Sequence, residues 1–425
     1  MVLFQKIKKK KANIAVIGLG YVGLELAINI RKSGFKVLGF DKNLEKIDIL
    51  KKRKSPLSTI EERRVKILDV DKIFSIKKIQ LINESDIIII CVPTPLKNNK
   101  RPEMKFINET LNLIYRHLRP EQLIILESTV YPGATEEIFV NKINKKKNIK
   151  IGKNFYLSYS PERVSPGKDY KISYANITKI ISGYSPKCLK LVKYFYQKIF
   201  RKIYSTSSIK TAEFTKLYEN AYRSVNIGLV NQMKIIADGL GLNIFDVIDA
   251  AKTKPFGFRP FLPGPGVGGH CIPIDPLFIS WVSDKKKLNS DFIKISRRVN
   301  IDVTGWLLKK IKKNLINKNN KILIIGVTYK KDVDDVRESP VINIFQNLSL
   351  KNTVDFYDPY VKKISLKKTT QFSIKNLNKI FKYDAVIIGT DHRKIDYKFI
   401  AKNSKKIFDT RGVFSKSKLK NVISC

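Results

Sequence analysis

One stretch near the N-terminus limits the possible folds more than any other. NIAVIG (13–18) is an apolar strand signal, GLGYVG (18–23) overlaps its end, and a helical pattern runs from Tyr21 to Gly34. A second apolar strand, KVLGFD (36–41), ends in Asp41. A strand, a glycine turn, a helix and a further strand make a βαβ unit, which calls for a parallel sheet with helices on its faces. Within GxGxxG, Gly18 allows the tight turn, Gly20 lets a pyrophosphate approach the backbone, and Gly23 lets helix and strand pack closely. Tyr21 and Val22 then open a helix whose N-terminus faces the phosphates. Asp41 lies 18 residues beyond Gly23, where a carboxylate hydrogen-bonds a ribose 2′-hydroxyl; this favours NAD over NADP, although Lys42 is adjacent. The alternative is a glycine-rich turn with no ligand.

The same alternation continues. DIIIICV (86–92) and QLIILEST (122–129) are continuous apolar runs, as expected of strands covered on both faces. FYLSYSPER (155–163) and ITKIISGY (177–184) extend that sheet. From 207 to 250 the spacing turns helical without a proline, and 292–316 is helical again. Strand signals return at KILIIGVTY (321–329), VDFYDP (354–359), DAVIIGT (384–390) and KIFDT (406–410). The expected fold class is therefore α/β: two doubly wound Rossmann-like domains joined by a central long-helix region. The expected divisions are 1–206, 207–317 and 318–425, with the charged stretch NKNNK (317–321) at the second boundary.

A formal net charge of +45 on 425 residues raises the question of nucleic acid or an anionic membrane surface. The lysines, however, are spread along the chain in short runs, and no nucleic-acid-binding signature accompanies them. A solvated lysine surface that steers anionic substrates is the expectation. The apolar runs are strand-length and too short to span a bilayer. The N-terminal lysines follow a very short apolar tip, the wrong order for a secretory signal. Four scattered cysteines (Cys91, Cys188, Cys271, Cys425) form no disulfide framework, which points to a reducing cytoplasm. Three scattered histidines (His117, His270, His392) suggest no metal site.

Several strand ends carry chemistry-bearing residues, and open α/β sheets bind ligands there. CVPTP (91–95) offers Pro93 and Thr94, and ESTVYPG (127–133) offers Thr129, each either a cofactor or substrate contact or part of a turn. SPER (160–163) puts Glu162 in a proline-bounded turn, as a solvated charge or as a group that orients water. KLYENAY (216–222) places Lys216 and Asn220 on one helix face, an ordinary exposed pair or a cation and an amide for an oxyanion. GPGVGGHCIPIDP (264–276) surrounds Cys271 with glycines and prolines, and Asp275 follows four residues later. A nicotinamide cofactor beside a nucleophilic thiol suggests oxidation through a thiohemiacetal and a thioester. His270 reads as a loop histidine hydrogen-bonded to backbone.

Taken in this order, GLGYVG, VPTP, ESTVYPG, SPER, KLYENAY and GPGVGGHCIPIDP resemble the UDP-glucose/GDP-mannose dehydrogenase family from about residue 13 to the C-terminus. The cysteine loop, with PFGFRPF (255–261) upstream, looks most like its bacterial UDP-N-acetylglucosamine 6-dehydrogenase branch, which serves surface polysaccharide synthesis. The resemblance implies an NAD-binding domain, a dimerising helical centre, a UDP-binding domain and two successive oxidations at C6 of a UDP-sugar. It implies Cys271 as nucleophile, Lys216 and Asn220 as oxyanion stabilisers, Glu162 and Thr129 as water-binding groups, and Asp275 as base or orienter. Substrate contacts implied are Glu162, Arg163, Lys216, Asn220 and Gly268, with Lys330 and Arg337 of VTYKKDVDDVRESP (327–340) and Arg411 of DTRGV (409–413). UDP-N-acetylmannosamine, UDP-N-acetylgalactosamine and UDP-glucose are alternative substrates. A two-electron hydroxyacid dehydrogenase would not need Cys271 or the third region, and a non-catalytic nucleotide- or polyanion-binding protein would not need the Cys–Lys–Asn–Glu set. Two departures stand out: Glu25 where the family usually has proline, and Arg259, whose spacing to Cys271 does not settle a match to the arginine that some relatives contribute from a partner subunit.

Overall fold

The computed structural model describes residues 2–97, 101–163, 173–315, 319–366 and 369–425. Its compact units are residues 1–219 with 281–287, and residues 220–280 with 288–425. The expected boundary at 317/318 falls on residues outside those described.

The first unit is built on β1 (Asn13–Ile17), β2 (Lys36–Asp41), β3 (Ile73–Ser75), β4 (Ile87–Ile90), β5 (Leu123–Leu126), β6 (Tyr156–Tyr159), β7 (Lys179–Gly183) and β8 (Ile203–Ser205). Their order across the sheet is β3-β2-β1-β4-β5-β6-β7-β8. Pairings from β3 to β6 are parallel, as the uninterrupted apolar runs require. β7 then runs antiparallel to β6, and β8 parallel to β7. The reversal brings the first residue of β7, Lys179, to the carboxyl end of β6. A helix absent from the sequence reading, Val2–Lys8, buries Leu3 and Ile7 and stacks Phe4 on Tyr194 with ring centroids 4.3 Å apart.

The second unit carries β9 (Lys321–Ile325), β10 (Thr353–Tyr357), β11 (Lys363–Ser365), β12 (Thr370–Phe372), β13 (Ala385–Ile388), β14 (Ile407–Asp409) and β15 (Val422–Ser424). Five of them form a parallel sheet of order β10-β9-β13-β14-β15, while β11 and β12 pair as a small antiparallel ribbon. The helical region resolves into Ile209–Gly239, Ile244–Ala251, Asp275–Lys285 and Asp291–Asn314. The first of these is 31 residues long and contributes to both units. Among the described residues no helix is long and apolar enough to cross a membrane.

Candidate active site

The glycine turn has the clearances that a dinucleotide needs. Gly18 sits at φ +92, and a Cβ there would lie 2.7 Å from the Cys91 carbonyl oxygen. At Gly23 a Cβ would meet the Gly18 oxygen at 1.9 Å, whereas at Gly20 it would have no neighbour within 4 Å. The turn is thus crowded by protein on one side and open on the other, in front of the helix that starts with Tyr21 and Val22. Asp41 is buried at the end of β2; its Oδ2 accepts from Leu19 N at 2.8 Å and its Oδ1 from Asn43 N at 2.9 Å. The cation on this carboxylate is Lys46, at 2.8 Å, while Lys42 lies 4.4 Å from the centroid of the Phe106 ring. Glu25 is compensated as well: Arg64 pairs with it, and Asn29 Nδ2 donates to its Oε1 at 3.0 Å. These residues fit NAD.

Ser128 Oγ donates to Val92 O at 2.7 Å, tying the ESTV turn to the VPTP turn. Thr94 is buried, Thr129 half-buried and Pro93 exposed along this edge. Glu162, only 8% exposed, stands at the carboxyl end of β6. Its Oε1 accepts from Arg163 N at 2.8 Å and its Oε2 from the Tyr174 hydroxyl at 3.3 Å. Lys216 Nζ donates to the Glu162 carbonyl, joining two of the expected site residues. The Arg163 side chain turns elsewhere, 2.6 Å from Glu219 and 3.0 Å from Thr178 O. Glu213 accepts from the amides of Gly133 and Thr135 just beyond the ESTVY turn, and burial pushes its pKa up to about 7.

In the second unit Asn220 Nδ2 donates to Asp275 Oδ2 at 2.6 Å, and both side chains are buried, at 3% and 2% exposure. Asp275 N in turn donates to Cys271 O at 2.8 Å, and Ile274 N to the same oxygen at 3.1 Å. Cys271 is therefore presented, exposed, on a turn closed by the residue that Asn220 holds. The loop glycines are needed for packing of the chain on itself. A Cβ on Gly264 would lie 2.7 Å from the Arg411 guanidinium, and one on Gly268 would lie 2.5 Å from Tyr329 Cβ. Gly269 N donates to Arg337 O at 2.9 Å. His270 is half-buried, and burial, reinforced by Arg337, lowers its pKa, which keeps it neutral near pH 7.

The nucleotide half of the expected site lies on the loops after β9 and β14. Lys330 is half-buried after β9, and its carbonyl accepts from Thr328 Oγ1 at 2.8 Å. Arg411 Nε donates to Gly389 O at 2.8 Å, and burial lowers its pKa. Arg337 is exposed and grips Asp335 with two nitrogens, at 2.9 and 2.6 Å. Arg259 is exposed in the stretch before the cysteine loop. A buried His392 fixes the loop after β9: its Nδ1 accepts from Asp332 N at 3.0 Å, and its Nε2 lies 3.1 Å from Asp358 Oδ2. The amide donor at Nδ1 places the ring proton on Nε2.

Sequence reasoning missed three of these groups. Lys179 left a signal, a lysine opening an otherwise apolar strand, which asks for a buried partner. Glu127 was quoted within ESTVYPG without a role. Glu213, in a helix rich in charged residues, left no signal.

A glycine-fingerprint sheet, a separate parallel nucleotide domain and a cysteine turn define a dinucleotide-dependent oxidoreductase. The NAD-binding, central and UDP-binding domains of the UDP-glucose/GDP-mannose dehydrogenase family match residues 12–200, 210–302 and 323–416. A UDP-N-acetyl-D-glucosamine 6-dehydrogenase of Pseudomonas aeruginosa is 34% identical over 360 residues, covering 83% of this chain and 84% of its own. A UDP-N-acetyl-D-mannosamine dehydrogenase of Methanococcus aeolicus is 38% identical over 401 residues, covering 91% and 86%. Among solved structures, a UDP-N-acetylmannosamine dehydrogenase of Pyrococcus horikoshii aligns with a TM-score of 0.82 at 31% identity, covering 94% of this chain and 95% of that one. The chain belongs to the UDP-glucose/GDP-mannose dehydrogenase family, and is an NAD-dependent dehydrogenase of nucleotide sugars.

Proposed function

We propose that the protein oxidises the C6 alcohol of UDP-N-acetylglucosamine to the carboxylate by four electrons, in the cytoplasm, for surface polysaccharide synthesis. The observation that carries this reading is the buried Asn220–Asp275 bond closing the turn that presents Cys271. NAD, when bound, would supply the hydride acceptor, one molecule for each of the two hydrides that leave C6, and the C6 hydroxyl gives up its proton as the aldehyde forms. The Cys271 thiolate adds to the resulting aldehyde, and loss of a second hydride turns the thiohemiacetal into a thioester. Water then adds to the acyl carbon and the C–S bond breaks, releasing the carboxylate, the thiolate and two protons. Lys216 and Asn220 stabilise oxyanions in these steps, Thr129 and Glu162 hold or activate the water, and Asp275 orients the turn. Lys330, Arg337 and Arg411 supply cations for the uridine nucleotide, with Gly268 close by.

A second reading, UDP-N-acetylmannosamine, is favoured by the name of the Methanococcus aeolicus relative. Both sugars carry a 2-acetamido group and differ in configuration at C2. Purified protein with NAD and a panel of UDP-sugars tests all of this. Two NADH per sugar are expected, with the highest kcat/KM on one of the two acetamido sugars. A stoichiometry of one would remove the thioester route.

A homodimer or a larger homo-oligomer is part of the same reading, with the three sequence divisions as its domains. On the helix Ile209–Gly239 and the turn after it, Tyr222, Leu229, Met233, Ile236 and Leu240 recur at helical spacing and are all exposed. An apolar stripe of that length asks for a partner. Light scattering is expected to give at least twice the chain mass, and an Ile236→Asp variant a smaller assembly or a single chain; a monomeric wild-type protein would contradict the assignment.

A further inference from the structure

Behind the SPER turn lies a buried ionic cluster that the expected site did not include. Lys179, the first residue of β7, is 3% exposed. Its Nζ lies 2.9 Å from Glu127 Oε2, 3.7 Å from Glu162 Oε2 and 3.4 Å from Pro161 O. It also sits 5.2 Å from the centroid of the Tyr196 ring and 5.5 Å from that of Phe200, and the Tyr196 hydroxyl donates to Glu127 Oε1. One cation therefore touches both the backbone and the carboxylate side of the turn that carries Glu162. The cluster extends to Cys91, whose thiol is pushed up by burial and then by Glu127, and whose Cβ would lie 3.2 Å from a Cβ on Gly23.

Such a cluster is a poor way to stabilise a domain. Burial alone would lower the lysine pKa and raise that of Glu127; the carboxylates outweigh it at Lys179, whose pKa ends above its usual value. Replacing buried ion pairs by well-packed apolar side chains is often neutral or stabilising, so stability alone does not explain retaining three charges here. Positioning does. Two lysines converge on Glu162 from different elements, Lys216 on its carbonyl and Lys179 on its carboxylate. The carboxylate is thereby held from behind while the turn stays at the carboxyl edge of the sheet.

We propose that Lys179, anchored by Glu127, is a positioning residue for the reaction: it fixes the Glu162 carboxylate in the orientation from which that group handles water. This rests on the proposed UDP-sugar oxidation. Lys179 is distant in role from binding, so its loss falls on turnover and spares affinity. Steady-state kinetics of Lys179→Met with NAD and the preferred UDP-sugar is expected to show kcat down by about 10²-fold. Both KM values should stay within about threefold. Lys179→Arg, which keeps the cation, should recover most of the loss. If Lys179→Met does not fold, Lys179→Met with Glu127→Gln relieves the carboxylate repulsion, and the same kcat loss is expected in that folded protein. Wild-type turnover with a folded Lys179 variant of unchanged kcat, or with KM raised in place of kcat lowered, overturns the inference alone. Absence of UDP-sugar turnover in the wild-type protein overturns the functional reading and this inference with it.

Discussion

Cys271→Ser is expected to lower net acid formation by on the order of 10³- to 10⁶-fold, the range for loss of a covalent nucleophile. Serine is nearly isosteric, and position 271 is exposed on a turn held by backbone bonds from Ile274 and Asp275, so the fold has no reason to change. What is lost is the thiolate. A hydroxyl at pH 7 is a far weaker nucleophile, and the adjacent imidazole, His270, is a weak proton acceptor because burial lowers its pKa. The first oxidation needs no thiol, so the variant should release a trace of aldehyde with one NADH per sugar. Counting NADH against acid by chromatography separates the two steps. Full two-NADH turnover in the serine variant would take Cys271 out of the mechanism.

Gly23→Ala is expected to weaken NAD binding by more than tenfold and to lower stability by about 1–3 kcal/mol. In most exposed helix positions the same change stabilises by about 0.5–1 kcal/mol, so the sign is the informative part. The added Cβ would lie 1.9 Å from the Gly18 carbonyl oxygen, a backbone atom with no rotamer to escape into. Gly18 is itself tied down, at φ +92 with its amide donating to Phe40 O at 2.8 Å. Gly20→Ala is the companion. With no atom within 4 Å of its Cβ it should melt like the wild type, yet still lose NAD affinity because the methyl fills the space left for the phosphates. Thermal melts and NAD titrations of both variants decide the matter; a Gly23→Ala protein with wild-type melting would refute the packing argument.

The parts of this molecule that were legible in the sequence are those specified by neighbours in the chain. GLGYVG could be read because Gly18 and Gly23 answer to atoms a few residues away or just past the neighbouring strand, while Gly20 answers to the open space in front of the turn. The parallel strands could be read because burial on both faces leaves uninterrupted apolar runs such as Ile87–Ile90. Strand direction is a tertiary property, and the reversal at β7 left no local trace; the lysine that opens this strand asks for a buried partner, but nothing nearby in the chain says that the partner is Glu127. The Asn220–Asp275 bond joins positions 55 residues apart, and the spacing of either motif alone says nothing about it. Those two came together only through the family resemblance. The helix Val2–Lys8 escaped because seven residues are too short a window for a helical period to show; its helical state depends on burying Leu3 and Ile7.

The buried His392 bears on how freely parts of this protein can be exchanged with those of relatives. The loop after β9 carries Lys330, yet one of its turning points, Asp332 at φ +58, takes the acceptor for its amide from an imidazole 60 positions later. Asp332 repays that contact by binding the Arg393 backbone amide through Oδ1, at 3.0 Å. The loop is thus not a transferable cassette. A chimera that grafts residues 327–340 alone into another scaffold would leave behind the ring that shapes it, whereas grafting 327–340 together with 390–393 would move the shape along with the sequence.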